Sequence, residues 1–236
     1  MGKQNFILGG LEMSKPVSAQ ALSRMPVYLH YLKALPTDKE TNISAKALGL
    51  KLGFGEIQVR KDLAAVSDAG KPKLGYSVSE LISDIEAFLG YDSVNDAVLV
   101  GAGKLGRALL SYEGFKANGL NIVAAFDSDE GKCGKDESGK QILPLEKLEN
   151  LCRRMKIKIG IITVPAAQAQ QVCELLISGG VEAVWNFAPT HLSVPQGVIL
   201  KNENMAASLA VLSKRLSDKN SANKTAQVMQ GKGDPK

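Results

Sequence analysis

A glycine-rich hexapeptide, Gly101-Ala102-Gly103-Lys104-Leu105-Gly106, follows a short apolar strand pattern and directly precedes a helical pattern. In that context the first glycine allows a tight turn, the second lets a ligand approach the backbone and the third allows close helix–strand packing. The free N–H groups at the start of the helix suit a pyrophosphate. The motif predicts a dinucleotide-binding βαβ unit, and the alternative is a glycine-rich turn without a ligand.

Asp127 ends the next strand pattern, roughly 20 residues past the last glycine, where a carboxylate accepts hydrogen bonds from a ribose 2′-hydroxyl. Asp129 and Glu130 follow closely. Because these acids would repel the 2′-phosphate of NADP, we expect NAD or NADH as the cofactor, without a metal.

Four short apolar patterns, at residues 97–100, 121–127, 158–165 and 182–187, alternate with helical patterns at 107–117, 145–155 and 166–178. This alternation predicts an α/β domain over residues 93–202, a Rossmann-like parallel sheet. Two later strands end in loops that we place at the ligand-binding edge, although ordinary loop chemistry would explain them equally well. Those loop residues are Thr163, Val164, Pro165, Asn186, Phe187 and Ala188. Beyond the sheet we expect a helix over 203–216 and a mobile polar tail over 217–236.

The chain before the sheet reads as helix, helix, turn, helix, followed by a punctuated basic turn, which predicts a winged-helix domain over residues 14–77. The helix-turn-helix runs from about Pro26 to Ala65. We expect a disordered leader over 1–13 and a connecting helix over 78–92. The second helix of such a motif presents side chains to the major groove of DNA.

Residues 14–77 carry ten Lys or Arg against five Asp or Glu. A basic block attracts double-stranded DNA because phosphate neutralisation releases counterions, although solvated surface charge is the alternative. The residues predicted to contact DNA are Ser44, Lys46, Gln58, Arg60, Lys61, Lys71 and Lys73.

The sequence gives little support to a membrane protein, a metal site or an enzyme. The sequence shows neither a run of about 20 apolar residues nor a signal peptide, so we expect a cytoplasmic protein with no membrane partner. The three cysteines include no CxxC pair, which favours buried thiols over a metal site. His30 and His191 are the histidines available for acid–base catalysis, and structural roles account for both. We therefore predict no catalytic residues and binding without turnover.

Taken together, these residues resemble one family, the Rex repressors that sense NADH, over about residues 14–216. The motifs that carry the resemblance are Leu22-Ser23-Arg24, Tyr28-Leu29, Gln58-Val59-Arg60-Lys61-Asp62-Leu63, Gly75-Tyr76, the glycine-rich hexapeptide with Arg107-Ala108-Leu109, Tyr112, Gly114-Phe115, Ala125-Phe126-Asp127, Leu143-Pro144-Leu145, Thr163-Val164-Pro165-Ala166 and Asn186-Phe187-Ala188-Pro189.

The resemblance implies a homodimer in which the helix at about 203–216 crosses to the partner. It also implies that NADH releases a palindromic operator, whereas NAD⁺ permits binding. Arg24 and Tyr112 match positions that couple the domains to the cofactor. Phe187, Ala188, Tyr112 and the partner's Met205 would form an apolar pocket that penalises the cationic ring of NAD⁺.

The sequence departs from the family pattern in two places. Asn204 and Met205 stand where the family usually carries an acid and often an aromatic residue, which alters the expected switch at the dimer helix. Residues 66–73 replace an aromatic, glycine-rich stretch of the family that contains an arginine. The preferred operator is expected to differ accordingly.

Two other functions fit parts of the pattern. An NAD-dependent oxidoreductase with an accessory helical domain would consume NADH with a carbonyl substrate. A nucleotide- or CoA-binding scaffold would show no salt-dependent affinity for DNA.

Overall fold

The computed structural model describes residues 17–36, 42–91 and 93–230, with side chains up to residue 220. The chain divides into two compact units between Ser93 and Val94. The leader predicted over residues 1–13 and the last six residues of the predicted tail lie outside the described residues.

The first unit packs four helices with a two-stranded antiparallel sheet. Its core contains the fully buried Met25, Leu48, Val59 and Leu81, one from each helix. The elements are α1 (Ala19–Lys33), β1 (Asn42–Ile43), α2 (Ala45–Leu52), α3 (Glu56–Leu63), β2 (Tyr76–Ser77) and α4 (Val78–Leu89).

Serine caps fix where three of these helices begin. The hydroxyl of Ser18, Ser44 or Ser77 accepts a hydrogen bond from the backbone N–H three residues later, at the start of α1, α2 and α4. Such a cap stabilises a helix by about 1 kcal/mol. The winged-helix order of elements predicted from the periodicity is confirmed in its helices and their sequence.

Two glycines allow close backbone approaches in this unit. A Cβ on Gly49 would lie 2.6 Å from the carbonyl oxygen of Phe54, in the turn between α2 and α3. Gly75 has a φ of +85°, and its Cβ would lie 2.3 Å from the carbonyl oxygen of Ile43. The tight turn and the short basic hairpin at residues 71–75 therefore both depend on glycine.

Two sequence expectations for this unit need correction. The third helix ends at Leu63 instead of continuing towards Gly70. After it, the N–H groups of Ala65 and Val66 donate to carbonyl oxygens three residues earlier, and the Ser67 hydroxyl accepts from the Ala69 N–H in a local turn. Helix α4, expected as a connector, buries Leu81 and Ile85 in the core of the first unit.

The second unit is a seven-stranded sheet in the order β5-β6-β4-β3-β7-β8-β9, with β5 antiparallel and the others parallel. Its parallel strands have the Rossmann order 3-2-1-4-5-6, so the predicted parallel α/β fold is confirmed. The strands are β3 (Asn95–Val100), β4 (Leu120–Asp127), β5 (Gly134–Lys135), β6 (Gln141–Pro144), β7 (Ile159–Ile162), β8 (Ala183–Asn186) and β9 (Ile199–Asn202), and the helices are α5 (Lys104–Leu110), α6 (Leu148–Met155), α7 (Ala166–Ser178) and α8 (Met205–Gln230).

The sheet separates two apolar clusters. Val98, Phe126 and Ile162 contribute to the cluster that includes α6 and α7, whereas Leu99, Ala125 and Ile161 contribute to the other. Both faces of the central strands are buried, as expected for a parallel sheet covered on both sides.

The helix predicted over residues 107–117 is shorter than expected, because α5 ends at Leu110 and a separate 3₁₀ helix spans Glu113–Asn118. The Ser111 hydroxyl donates to the carbonyl oxygens of Arg107 and Ala108, an alternative to helical continuation.

The tail is also helical where we expected mobility. Helix α8 continues through the polar sequence to Gln230, and Lys214 pairs with Asp218 at 2.6 Å, one turn apart. That stretch contains Ala, Lys and Gln but neither Gly nor Pro, so nothing in it ends a helix.

Cys152 and Cys173 are buried free thiols, whereas Cys133 is half-buried. Burial raises the pKa of Cys152 to about 11. Among the described helices, none is both long and apolar enough to cross a membrane.

Candidate functional site

The glycine-rich loop lies where the strand order of the second unit reverses. It follows β3, and Thr163 follows the neighbouring strand β7, so both sit at the carboxyl ends of adjacent parallel strands. The Thr163 hydroxyl donates to the carbonyl oxygens of Gly101 (2.8 Å) and Val100 (3.0 Å). Thr163 thus fixes the loop at the switch point, where ligands bind in open α/β sheets.

The three glycines of the motif differ in the space that surrounds each of them. Gly101 has a φ of +103°, and its Cβ would meet Thr163 at 2.8 Å. A Cβ on Gly106 would lie 1.9 Å from the carbonyl oxygen of Gly101. At Gly103, the residue before α5, a Cβ would meet nothing within 4 Å. The first and third glycines serve packing within the protein, whereas the second borders open space.

Asp127 anchors the same loop. Its Oδ2 accepts from the N–H of Ala102 at 2.7 Å, its Oδ1 accepts from the N–H of Asp129 at 2.9 Å, and the Lys132 ammonium lies 3.2 Å and 3.3 Å from the two oxygens. Burial alone would raise the pKa of Asp127, but these hydrogen bonds and the ammonium outweigh it and place that pKa below its ordinary value. Asp127, which is predicted to bind the ribose, is therefore an ionised carboxylate with Lys132 as its counterion.

The side chains of Asn186 and Thr163 hydrogen-bond to the backbone of nearby loops. The Asn186 side chain is fully buried, its oxygen accepts from the Ala188 N–H at 2.9 Å, and its amide nitrogen donates to Thr190 and Asn202 at 3.0 Å and 2.8 Å. With its amide occupied, Asn186 holds the loop after β8 in shape. The placement of Asn186 at the cofactor site stays a prediction, which this geometry assigns to the loop that Asn186 holds.

Four aromatic rings form a row on one side of the sheet of the second unit. Ring centroids are separated by 4.9 Å for Tyr112–Phe115, 5.7 Å for Phe115–Trp185 and 4.8 Å for Trp185–Phe187. Phe187 is half-buried, whereas Tyr112 is 57% exposed. We call these four residues the aromatic row. It joins two predicted site residues through two that the sequence reasoning had not assigned.

The start of α8 is tied to this row. Glu203 accepts from the Trp185 indole N–H at 3.0 Å, and Asn204 caps the helix by accepting from the Ala207 N–H at 2.9 Å. Met205, the first residue of the helix, is exposed. Asn204 thus serves as a neutral cap, and the nearest acid is its neighbour Glu203.

These residues fit a dinucleotide. Open space at Gly103 leaves room for a pyrophosphate beside the N–H groups of Lys104 and Leu105. Asp127 ends the adjacent strand β4, at the sequence spacing from the glycines that is expected for a ribose contact. Val164 packs against the Gly101 turn, and Pro165 precedes α7. Ala188 is buried beside Asn186.

In the first unit, a polar cluster connects α1 to α3. Arg24 donates to both oxygens of Asp62, at 2.7 Å and 2.8 Å, and the buried Tyr28 hydroxyl donates to Asp62 at 2.8 Å. With its amide oxygen turned towards the guanidinium, Gln58 accepts from Arg24 at 2.9 Å and 3.2 Å. Burial, followed by the bond to Asp62, raises the pKa of Tyr28 to about 12. Arg24 therefore holds one edge of α3.

Every side chain predicted to contact DNA is on the surface of the first unit. Lys61 is exposed on α3, and Arg60 forms an ion pair with Glu56 one turn earlier. Ser44 caps α2, next to the exposed Lys46. Gln58 is exposed on α3, and Lys71 and Lys73 are exposed in the hairpin that Gly75 closes.

Sequence reasoning did not assign roles to several residues of these sites, because their partners are distant in the chain. Lys132 carries no motif of its own, and the Trp185–Glu203 hydrogen bond has no sequence signal. Asp62 did stand within one family motif, but its partner Arg24 could not be identified from spacing. Among the described residues, no three His, Cys, Asp or Glu side chains cluster as metal ligands.

Comparisons with known proteins cover both units. The family of CoA binding domains matches residues 92–190, and a family described as a DNA-binding protein N-terminus matches residues 16–64. A redox-sensing transcriptional repressor Rex from Treponema denticola is 40% identical over 205 residues, which cover 87% of this chain and 98% of the relative.

Two crystal structures of RSP, a protein described as a Rex-family repressor, resemble the fold at 32% identity. The complex with β-NAD⁺ and operator DNA has a TM-score of 0.82 and covers 94% of this chain and 100% of RSP. The complex with β-NADH has a TM-score of 0.80 and covers 90% and 100%. With this identity and coverage, the chain belongs to the Rex family of redox-sensing transcriptional repressors.

Proposed function

We propose that this protein binds a palindromic operator as a homodimer and that NADH, bound in the second unit, releases it. The observation that carries the proposal is that one relative, covering nearly the whole chain, crystallises with both β-NAD⁺ and operator DNA. A repressor acts where its operator is, so we place the protein in the cytoplasm.

The cofactor contacts follow from the glycine-rich loop. The backbone N–H groups at Gly103, Lys104 and Leu105 bind the pyrophosphate, while Asp127 binds the adenosine ribose. Because Lys132 lies against Asp127 at 3.2 Å, it moves aside or joins the ribose contact when the nucleotide binds. Thr163, Val164 and Pro165 line the nicotinamide side of the switch point, and Asn186 positions Phe187 and Ala188 there.

The aromatic row provides the means to distinguish the two redox states. NAD⁺ carries a positive ring that NADH lacks, and removing a cation from water costs several kcal/mol. Attraction of a cation to an aromatic face returns only about 0.5–2 kcal/mol. A dry aromatic pocket therefore favours the neutral ring of NADH.

The pocket is dry only if something covers Tyr112, which is 57% exposed. Helix α8 offers an apolar stripe of exposed side chains at spacings of three and four: Met205, Leu209, Leu212 and Leu216. We propose that this stripe packs on a second copy and that the partner's Met205 covers the row.

Ligand control of DNA binding requires differential affinity. Shifting a two-state equilibrium from 1:99 to 99:1 needs about 10⁴-fold tighter binding to the favoured state. Arg24 contacts both Asp62 and Gln58 on α3, so a change in its position alters the helix that faces DNA.

The test is a titration of the full-length protein into a fluorescent duplex selected from a randomised pool. Anisotropy should show salt-dependent binding that NADH abolishes at concentrations where NAD⁺ does not. The Asp127→Ala variant should bind the duplex like the wild type and resist NADH. Binding that persists unchanged as NADH is added would refute the regulatory proposal.

A further inference from the structure

Ile57 is a large apolar side chain that the first unit leaves in solvent. It lies in the first turn of α3 and is 70% exposed. A single exposed apolar residue is common on protein surfaces. Its position on α3, however, indicates which kind of partner this face of the helix can bind.

Successive residues of an α-helix are about 100° apart around the axis. The buried residues Val59, Asp62 and Leu63 therefore mark the inward arc of α3. Ile57 and Lys61, one turn apart, lie on the side opposite the centre of that arc. Gln58 lies at the edge of the outward face, beside Asp62.

The side chains around Ile57 define what the face can bind. Lys61 provides a cation one turn later, and Ala64 adds a small exposed side chain one turn beyond it. Gln58 is held at the edge by Arg24. This face therefore suits a partner that offers an apolar group near an anion, on a surface that a helix can approach closely.

The DNA major groove has this arrangement. It admits a helix whose N-terminal residues reach base edges, phosphates flank it, and the thymine C5-methyl is its apolar group. A protein partner would be expected to use Ile57 together with Leu50, which is 82% exposed on α2, and would not need the ammonium of Lys61.

We propose that Ile57 contacts the C5-methyl of one thymine in each half-site and that it is a specificity-determining residue. This inference rests on the proposed function, since it requires that the first unit bind DNA. Gln58, at the edge of the same turn, then reads the adjacent base pair.

The probe is the duplex selected by the wild-type protein from a randomised pool. Each thymine is replaced in turn by deoxyuridine, which removes the methyl group and nothing else. Loss of one buried methyl should weaken wild-type binding about fourfold, and loss of both symmetry-related methyls about fifteenfold. All other thymine positions should tolerate the change.

The Ile57→Ala variant should bind the thymine and deoxyuridine duplexes with equal affinity, and Ile57→Val should retain part of the difference. The matched control is Leu50→Ala, an exposed apolar truncation on α2, which should keep the full methyl dependence. Because both side chains are exposed, circular dichroism should show an unchanged fold.

Several results would overturn the inference. One is wild-type binding that ignores every thymine methyl, and another is an Ile57→Ala variant that still senses the methyl. A third is loss of self-association in Ile57→Ala, which would make Ile57 a protein contact. If the wild type selects no duplex at all, the proposed function itself fails.

Discussion

The contrast between Gly103 and Gly106 gives a quantitative prediction about the nucleotide site. A methyl at position 106 would lie 1.9 Å from the carbonyl oxygen of Gly101 and 2.9 Å from the Thr163 hydroxyl, so Gly106→Ala must displace backbone. Such overpacking costs roughly 1–3 kcal/mol, and a clash with backbone belongs at the upper end. A methyl at position 103 meets nothing within 4 Å, so Gly103→Ala loses only the helix-cap preference, under about 1 kcal/mol.

The two variants should therefore separate stability from binding. Urea unfolding followed by circular dichroism should show that Gly106→Ala lowers the free energy of unfolding by about 2 kcal/mol more than Gly103→Ala does. Calorimetric titration should show NADH affinity reduced at least about tenfold in Gly103→Ala, because the methyl fills space that the pyrophosphate needs.

Gly55 supplies the matched control, since it is also the residue before a helix and also borders open space. Gly55→Ala should show the same small stability loss as Gly103→Ala with unchanged NADH affinity. If Gly103→Ala binds NADH like the wild type, the pyrophosphate does not lie beside that residue and the cofactor geometry is wrong.

Three further predictions concern charged groups. Asp62→Asn should lower the free energy of unfolding of the first unit by about 2–3 kcal/mol in urea denaturation, because Arg24 loses its carboxylate partner in a mostly buried position; an unchanged midpoint would contradict this. Since the pKa of Asp127 in the folded protein lies below its ordinary value of 3.8, the wild type should be more stable than Asp127→Asn at all pH values above about 4. This advantage should vanish as the pH falls through the folded pKa, and urea midpoints at several pH values would check it. Lys61→Ala should weaken DNA binding uniformly across sequences and reduce the slope of log affinity against log salt by about 1 per subunit, with NADH affinity unchanged in calorimetry.

The periodic parts of the chain were predictable from the sequence. Strand patterns such as residues 121–127 have buried side chains on both faces, and the glycine motif carries its own spacing. Strands β5 and β6 were missed because two and four residues are too few to show a period, and β5 is exposed as well. The helical structure of residues 217–230 was not predicted because the apolar stripe of α8 ends at Leu216 and the polar residues after it show no helical period.

The sequence predicted those site residues that belong to a recognisable motif. Asp127 and Thr163 both hydrogen-bond to the glycine-rich loop, Asp127 at Ala102 and Thr163 at Gly101. The fingerprint predicted Asp127, whereas Thr163 was expected only from its place at the end of a strand. The counterion Lys132 could not be anticipated, since proximity to Asp127 follows from the path of the loop after β4. The same holds for the Arg24–Asp62 pair, whose members are 38 residues apart.

Trp185 is the single tryptophan of the chain, and it sits in the aromatic row, bonded to the residue before the α8 cap. Indole emission shifts with the polarity around the ring and with the loss of its N–H partner. Reduced nicotinamide absorbs in the region where indole emits, so energy transfer would quench that emission. With the nicotinamide ring bound beside the aromatic row, as proposed above, Trp185 would report the entry of a neutral ring optically, without an attached dye.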